Sequence, residues 1–202
     1  MKAITRRIRH IRLGVHNRYL ASCVFVHINK TAGSSIEDAL GLPFQHRTAR
    51  EFRDLLGSTR YAQRFSFAFV RNPWDKVASH YHYRRGTNRT GVASTGVDFN
   101  AWVGLAYGEQ DPRYYDNPRM FMPQTQWIED NDGALMVDYV GRFETLEADF
   151  QTVCQHLGRK AELPHLKKSE RRDYRELYSA EARAVVERWF ARDLEMFGYT
   201  FD

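Results

Sequence analysis

Cysteine is scarce: Cys23 and Cys154 are the only two among 202 residues. One opens an apolar run and the other lies in a helical pattern. Both read as small buried hydrophobes, with no disulfide framework. A reduced, cytoplasmic setting is expected. Long apolar runs are also missing. None approaches the roughly 18–20 residues that a membrane span requires, so no transmembrane segment is expected. The first 21 residues are basic but lack a continuous apolar stretch, which excludes a secretory signal and leaves a basic N-terminal arm or amphipathic helix over 1–21. Repeats, low-complexity tracts and Pro/Gly/Ser linkers are absent, so a single domain over 1–202 is expected. No basic block dominates. The net charge of +5, from 30 basic and 25 acidic residues, suggests an anionic ligand and no nucleic acid.

What the chain does contain centres on Cys23–Leu40, CVFVHINKTAGSSIEDAL. An apolar, β-prone run leads into Lys30-Thr31-Ala32-Gly33-Ser34-Ser35, and a helical segment follows. A helix start there aims unpaired backbone N–H groups at the loop, a place suited to phosphate or sulfate. A plain strand-to-helix turn, with glycine for the bend, uses the same residue types.

The order of elements sets the fold class. Strands are predicted at Cys23–Ile28 and Phe65–Val70, the latter continuously apolar as in a strand covered on both faces. Helices are predicted over 34–40, 49–56, 73–86, 98–107, 118–128, 145–157 and 179–197. Gly41, Gly57, Gly158 and Gly198 supply stops, and Asn72-Pro73 a start. Thr87–Val97 reads as a mobile surface loop. Ala134–Phe143 is a third apolar run after the turn Asn131-Asp132-Gly133. Alternating strands and helices imply an α/β fold with a small parallel sheet. Ligands in such sheets sit at the carboxyl ends of the strands, where Lys30–Ser35 and Arg71–Ser79 both fall. An arginine fork with a hydroxyl can grip a second phosphate.

HINKTAGSSIE followed by FVRNPWDKVASHYHY resembles the sulfotransferases that use 3′-phosphoadenosine 5′-phosphosulfate. The carbohydrate branch is the most similar, with the heparan 2-O and chondroitin/dermatan enzymes and their bacterial relatives. The likeness continues through Val140–Glu144, Pro164–Ser169 and Asp193–Tyr199. It implies a P-loop-like three-layer fold, with the small parallel sheet flanked by helices. It also implies a sulfate-donor nucleotide as co-substrate, 3′-phosphoadenosine 5′-phosphate as product, and a small-molecule or glycan acceptor. Lys30, Thr31, Ala32, Gly33, Ser34 and Ser35 would hold the 5′-phosphosulfate. Arg71 and Ser79 would hold the 3′-phosphate. Lys168, Ser169 and Arg172 would close over the nucleotide. His46 stands in a His-x-Thr setting similar to the region where 2-O-type relatives carry a catalytic histidine, and is the expected general base.

In-line sulfuryl transfer depends on positioning and charge stabilisation, as phosphoryl transfer does. Lys30 can hold charge on the bridging oxygen, so no metal is needed. His27 reads as a core histidine, and His80 and His82, two apart on one helix, face different ways. Glu37 and Asp75 read as helix-terminal charges. Gln124, Trp127, Trp102 and Tyr107 suit either an acceptor site or the core. Two other functions compete. A P-loop phosphotransferase or ATPase would need a lysine after the second glycine of Walker A, whereas Lys30 precedes Gly33; only Leu135–Asp138 weakly mimics a magnesium-binding strand end. A non-catalytic binder of an acidic polymer would not need the paired motifs.

Overall fold

The computed structural model describes Asn17 and residues 21–164 and 173–202. In chain order they form β1 (Cys23–Val26), α1 (Gly33–Leu40), α2 (Ala49–Leu56), α3 (Ser58–Ala62), β2 (Phe65–Val70) and α4 (Pro73–Gly86). Then come α5 (Phe99–Val103), α6 (Thr125–Ile128), β3 (Tyr139–Arg142), α7 (Leu146–His156), α8 (Ala180–Trp189) and α9 (Ala191–Phe197). These residues pack as two compact units. The first takes the described residues up to 28, with 32–70 and 127–164; the second takes 29–31, 71–126 and 173–202.

The first unit is a mixed α/β layer structure. Its sheet, among the described residues, has three parallel strands in the order β1-β2-β3. Cys23 pairs with Phe65 and Phe67 with Tyr139. The central strand is buried from Ser66 onward, as a strand with a partner on each edge and cover on each face must be. Ile36 and Leu40 of α1 and Leu146, Phe150 and Val153 of α7 close over Phe25, Phe67 and Phe69. β3 comes close to β2 at a glycine: a Cβ on Gly141 would lie 2.6 Å from the Phe69 ring. β1 is shorter than predicted, because Ile28 already turns back, its N–H donating to the Val26 carbonyl.

The second unit is helical. Its core gathers Trp74, Val77 and Tyr81 of α4, Phe99 and Trp102 of α5, and Val186 of α8 with Phe190. α4 begins as expected: Asn72 caps the Trp74 N–H, and Pro73 takes the first helical position. Two predicted helices are corrected. The stretch 118–128 is helical only at Pro118–Met120 and Thr125–Ile128, because Pro123 has no N–H to donate and its ring collides with a preceding turn. The predicted 179–197 helix is two helices. Phe190, at φ −106 and ψ 21, breaks it and lies fully buried in the core.

Candidate active site

Arg71 is the first residue beyond β2, in the second unit, and is 5% exposed. Its guanidinium is held on two sides. Nε donates to Asp75 Oδ2 at 2.8 Å, and Nη2 lies 2.6 Å from the same oxygen. Nη1 donates to the Lys30 carbonyl at 3.1 Å. Asp75 is the third residue of α4, and Ser79 lies one turn further on, buried, so both share a helix face. The Lys30 ammonium lies over the Tyr83 ring, 4.5 Å from its centroid.

The loop that carries Lys30 is conformationally unusual. Lys30 (φ 68) and Ala32 (φ 65) are both left-handed without being glycine, on either side of a fully buried Thr31. Each such residue costs about 1–3 kcal/mol, and such strain persists where the backbone must take a particular shape. Ala32 is also the N-cap of α1 and provides no side-chain cap. The first N–H groups of α1 are therefore not claimed by a capping side chain.

The second unit also buries charge. Lys76 is fully buried, and its Nζ has no hydrogen-bond partner among the described residues. It lies 5.3 Å from the Phe190 centroid. Burial pushes its ammonium down from 10.5 to about 8; Asp193 opposes this, while Arg71 and Lys30 add to it.

In the first unit, histidines and a carboxylate meet at the start of α1. His27 is buried, and its ring occupies the space a Gly33 side chain would need: a Cβ there would lie 2.0 Å from Cδ2. His27 Nδ1 is 2.9 Å from Glu37 Oε2, although not aligned as a hydrogen bond. Glu37 Oε1 accepts the Gln45 N–H at 3.1 Å. His46 Nδ1 lies 2.9 Å from the His27 carbonyl oxygen. A carbonyl only accepts, so Nδ1 carries the proton, and in the neutral ring the lone pair sits on Nε2. The His46 ring is packed by His27 (4.2 Å), Phe44 (5.1 Å) and Trp127 (6.1 Å). Two residues on, Thr48 starts α2 with a reciprocal capping box to Glu51.

A profile of the sulfotransferase family matches residues 21–200. This chain belongs to the sulfotransferase family. An uncharacterized protein of Archaeoglobus fulgidus is 28% identical over 112 residues, 55% of this chain and 82% of that protein. No solved structure matches. The family match makes the protein a sulfuryl-transferring enzyme, and its α/β fold fits that family's P-loop-like architecture.

The sulfotransferase brings some of its expected site residues together. Lys30, Thr31, Arg71 and Ser79 all belong to the second unit, and Arg71 touches Lys30. Ala32, Gly33, Ser34, Ser35 and His46 belong to the first, with Ser34 exposed on the first turn of α1. Lys168, Ser169 and Arg172 lie outside the described residues.

Several other readings change. Glu37 is not a terminal charge: it is the fifth residue of α1, buried beside His27. Asp75 does sit in the first turn of α4, but it also grips Arg71. Gln124, Trp127, Trp102 and Tyr107 are all buried, which favours packing over acceptor contact. His80 is interior: its Nε2 accepts from Arg84 Nε, its Nδ1 faces the Tyr107 hydroxyl, and burial holds it well below the usual imidazole range. His82 is exposed. Asp138 accepts both the N–H and the hydroxyl of Ser66, a structural task rather than a magnesium site.

Among the described residues, no helix is long and apolar enough to cross a membrane. Lys76 and Asp193 are buried charges to which the sequence analysis assigns no task. The signal for Asp193 is a lone carboxylate among the apolar residues Val186, Trp189, Phe190, Leu194 and Phe197 of its helical stretch, since a buried carboxylate needs partners.

Proposed function

We propose that this sulfotransferase takes its sulfuryl group from 3′-phosphoadenosine 5′-phosphosulfate and passes it to an acceptor hydroxyl on a carbohydrate or glycoconjugate, as a cytoplasmic enzyme of the bacterial carbohydrate-sulfotransferase type. The observation that carries this reading is the hydrogen bond from Arg71 to the Lys30 carbonyl. The guanidinium assigned to the 3′-phosphate is bonded to Lys30, the first residue of the stretch assigned to the 5′-phosphosulfate. The strained backbone at Lys30 and Ala32 and the α1 start without a side-chain cap support the same reading.

The bound donor supplies an activated S–O bond. Around it, the N–H groups of Gly33 and Ser34 bind phosphate oxygens, and Thr31 and Ser35 add hydroxyls. Arg71 and Ser79 bind the far phosphate, with Lys168, Ser169 and Arg172 as the nucleotide cover. The acceptor oxygen forms its bond to sulfur as the bond from sulfur to the bridging phosphate oxygen breaks. His46 Nε2 takes the acceptor proton, and Lys30 balances the charge left on the bridging oxygen. The Nδ1–His27 carbonyl bond keeps the basic nitrogen in the required tautomer.

A thermal-shift titration tests the donor. Stabilisation by 3′-phosphoadenosine 5′-phosphate should exceed that by ATP with magnesium and should disappear in Arg71→Ala. Equal shifts from both nucleotides, in both proteins, refute it. His46→Ala should bind the nucleotide normally and lose transfer; turnover at the normal rate clears His46.

A further inference from the structure

Arg71 poses a backbone problem. It directly follows β2, whose last residue, Val70, pairs with Arg142, the last residue of β3. The β2–β3 pairing ends there and Arg71 is buried, so its own N–H and C=O must still be bonded. Gln124 provides both. Its Oε1 accepts the Arg71 N–H at 2.8 Å, and its Nε2 donates to the Arg71 carbonyl at 2.8 Å. One carboxamide thus stands in for a strand neighbour.

Gln124 is itself fixed by Asp193 of α9, which is 0% exposed. Asp193 Oδ2 accepts the Gln124 N–H at 2.8 Å and its Nε2 at 3.2 Å. Oδ1 accepts the Thr125 N–H and the Thr125 hydroxyl, both at 2.9 Å. Four donors on two oxygens suit a carboxylate that carries no proton. Burial pushes Asp193 upward, those same donors pull it back, and the cation of Lys76 is attracted to it.

We infer that Asp193 and Gln124 are positioning residues: through a carboxylate-to-amide-to-backbone relay they hold Arg71 at the angle needed to receive the distal phosphate of the donor. This rests on the donor reading above. The relay fixes the main chain of Arg71, while Asp75 and the Lys30 carbonyl fix its guanidinium. Backbone and side chain are thus restrained independently, which is what preorganised anion recognition requires.

The test uses the full chain with Gln124→Met, which keeps the side chain's length and loses both bonds to Arg71, and with Asp193→Asn. Two readouts are taken. One is hydrogen exchange at the Arg71 amide; the other is the dissociation constant for 3′-phosphoadenosine 5′-phosphate together with steady-state constants. The relay predicts faster exchange at Arg71 and a donor KM and nucleotide Kd raised about ten-fold, with the acceptor KM within two-fold of wild type. If Asp193→Asn does not fold, Gln124→Met decides alone. A folded Gln124→Met with unchanged Arg71 exchange and unchanged nucleotide affinity overturns the relay. A wild-type protein that binds 3′-phosphoadenosine 5′-phosphate no better than ADP overturns the donor reading instead, and Arg71 exchange then still decides whether the relay holds the residue.

Discussion

Replacing Lys76 with methionine should make this sulfotransferase more stable at neutral pH. The ammonium is fully buried, it has no hydrogen-bond partner among the described residues, and burial lowers it from 10.5 to about 8. An unfolded chain keeps that proton to about pH 10.4, the folded chain only to about 8. Below about 8 both states are protonated, and the full cost of burying the cation is present. Between about 8 and 10.4 the unfolded chain binds more protons, so stability rises with pH and the cost fades. At about 1.4 kcal/mol per pH unit, the cost at pH 7 is about 3 kcal/mol. Met matches the stem in length and packs against Phe190 without the charge. Guanidinium unfolding of both proteins at pH 7 and at pH 10 checks this. Lys76→Met should lead by about 3 kcal/mol at pH 7 and by much less at pH 10, with several degrees of Tm at neutral pH. Anion affinity should fall, because a cation that interacts with Arg71 and Lys30 is gone. A variant less stable than wild type at pH 7, or a difference independent of pH, refutes the reasoning.

Gly33→Ala should lose transfer and about 1–3 kcal/mol of stability by denaturation, since its Cβ would meet the His27 ring at 2.0 Å and rigid ring atoms must give way. Thr48→Ala removes the capping box of α2 and should cost about 1 kcal/mol; because that cap lies two residues from His46, kcat should fall with less change in nucleotide affinity. Gly141→Ala should destabilise by a similar 1–3 kcal/mol through its clash with Phe69, and transfer measured well below the new Tm should persist.

Local chemistry is what made parts of this molecule legible in its sequence. The end of α2 and the passage from β2 into α4 follow from Gly57 and the Asn72-Pro73 pair, each acting within a few residues of itself. The order of elements likewise gave the parallel sheet. Tertiary demands hid the rest. Nothing near Phe190 in the chain announces a break, since a continuous apolar stripe suits one helix as well as two; burial of that ring in the core decides it. Gln124 reads as an ordinary amide until its carboxamide is seen bonded to both the N–H and the C=O of Arg71. Glu37 looks like a surface acid until His27 is set beside it by the close of β1. At the candidate site, residue types at Lys30 and Arg71 suggest anion chemistry and the family resemblance singles out His46, while the left-handed turns that shape the loop are a backbone property no side chain spells out.

The sheet's wiring has a consequence for synthesis. β1 meets β2 soon after both emerge, but β3 follows only after the whole 71–126 segment has been made; Ser66 and Asp138, which bond across that gap, are 72 positions apart. Until then the free edge of a strand reading Phe-Ser-Phe-Ala-Phe-Val is exposed to any other unfinished chain, the kind of long-range closure that slows folding and invites aggregation. The nascent enzyme should therefore be most vulnerable between the emergence of β2 and that of β3, and a chaperone that shields that edge during this interval should raise the yield more than lower temperature alone.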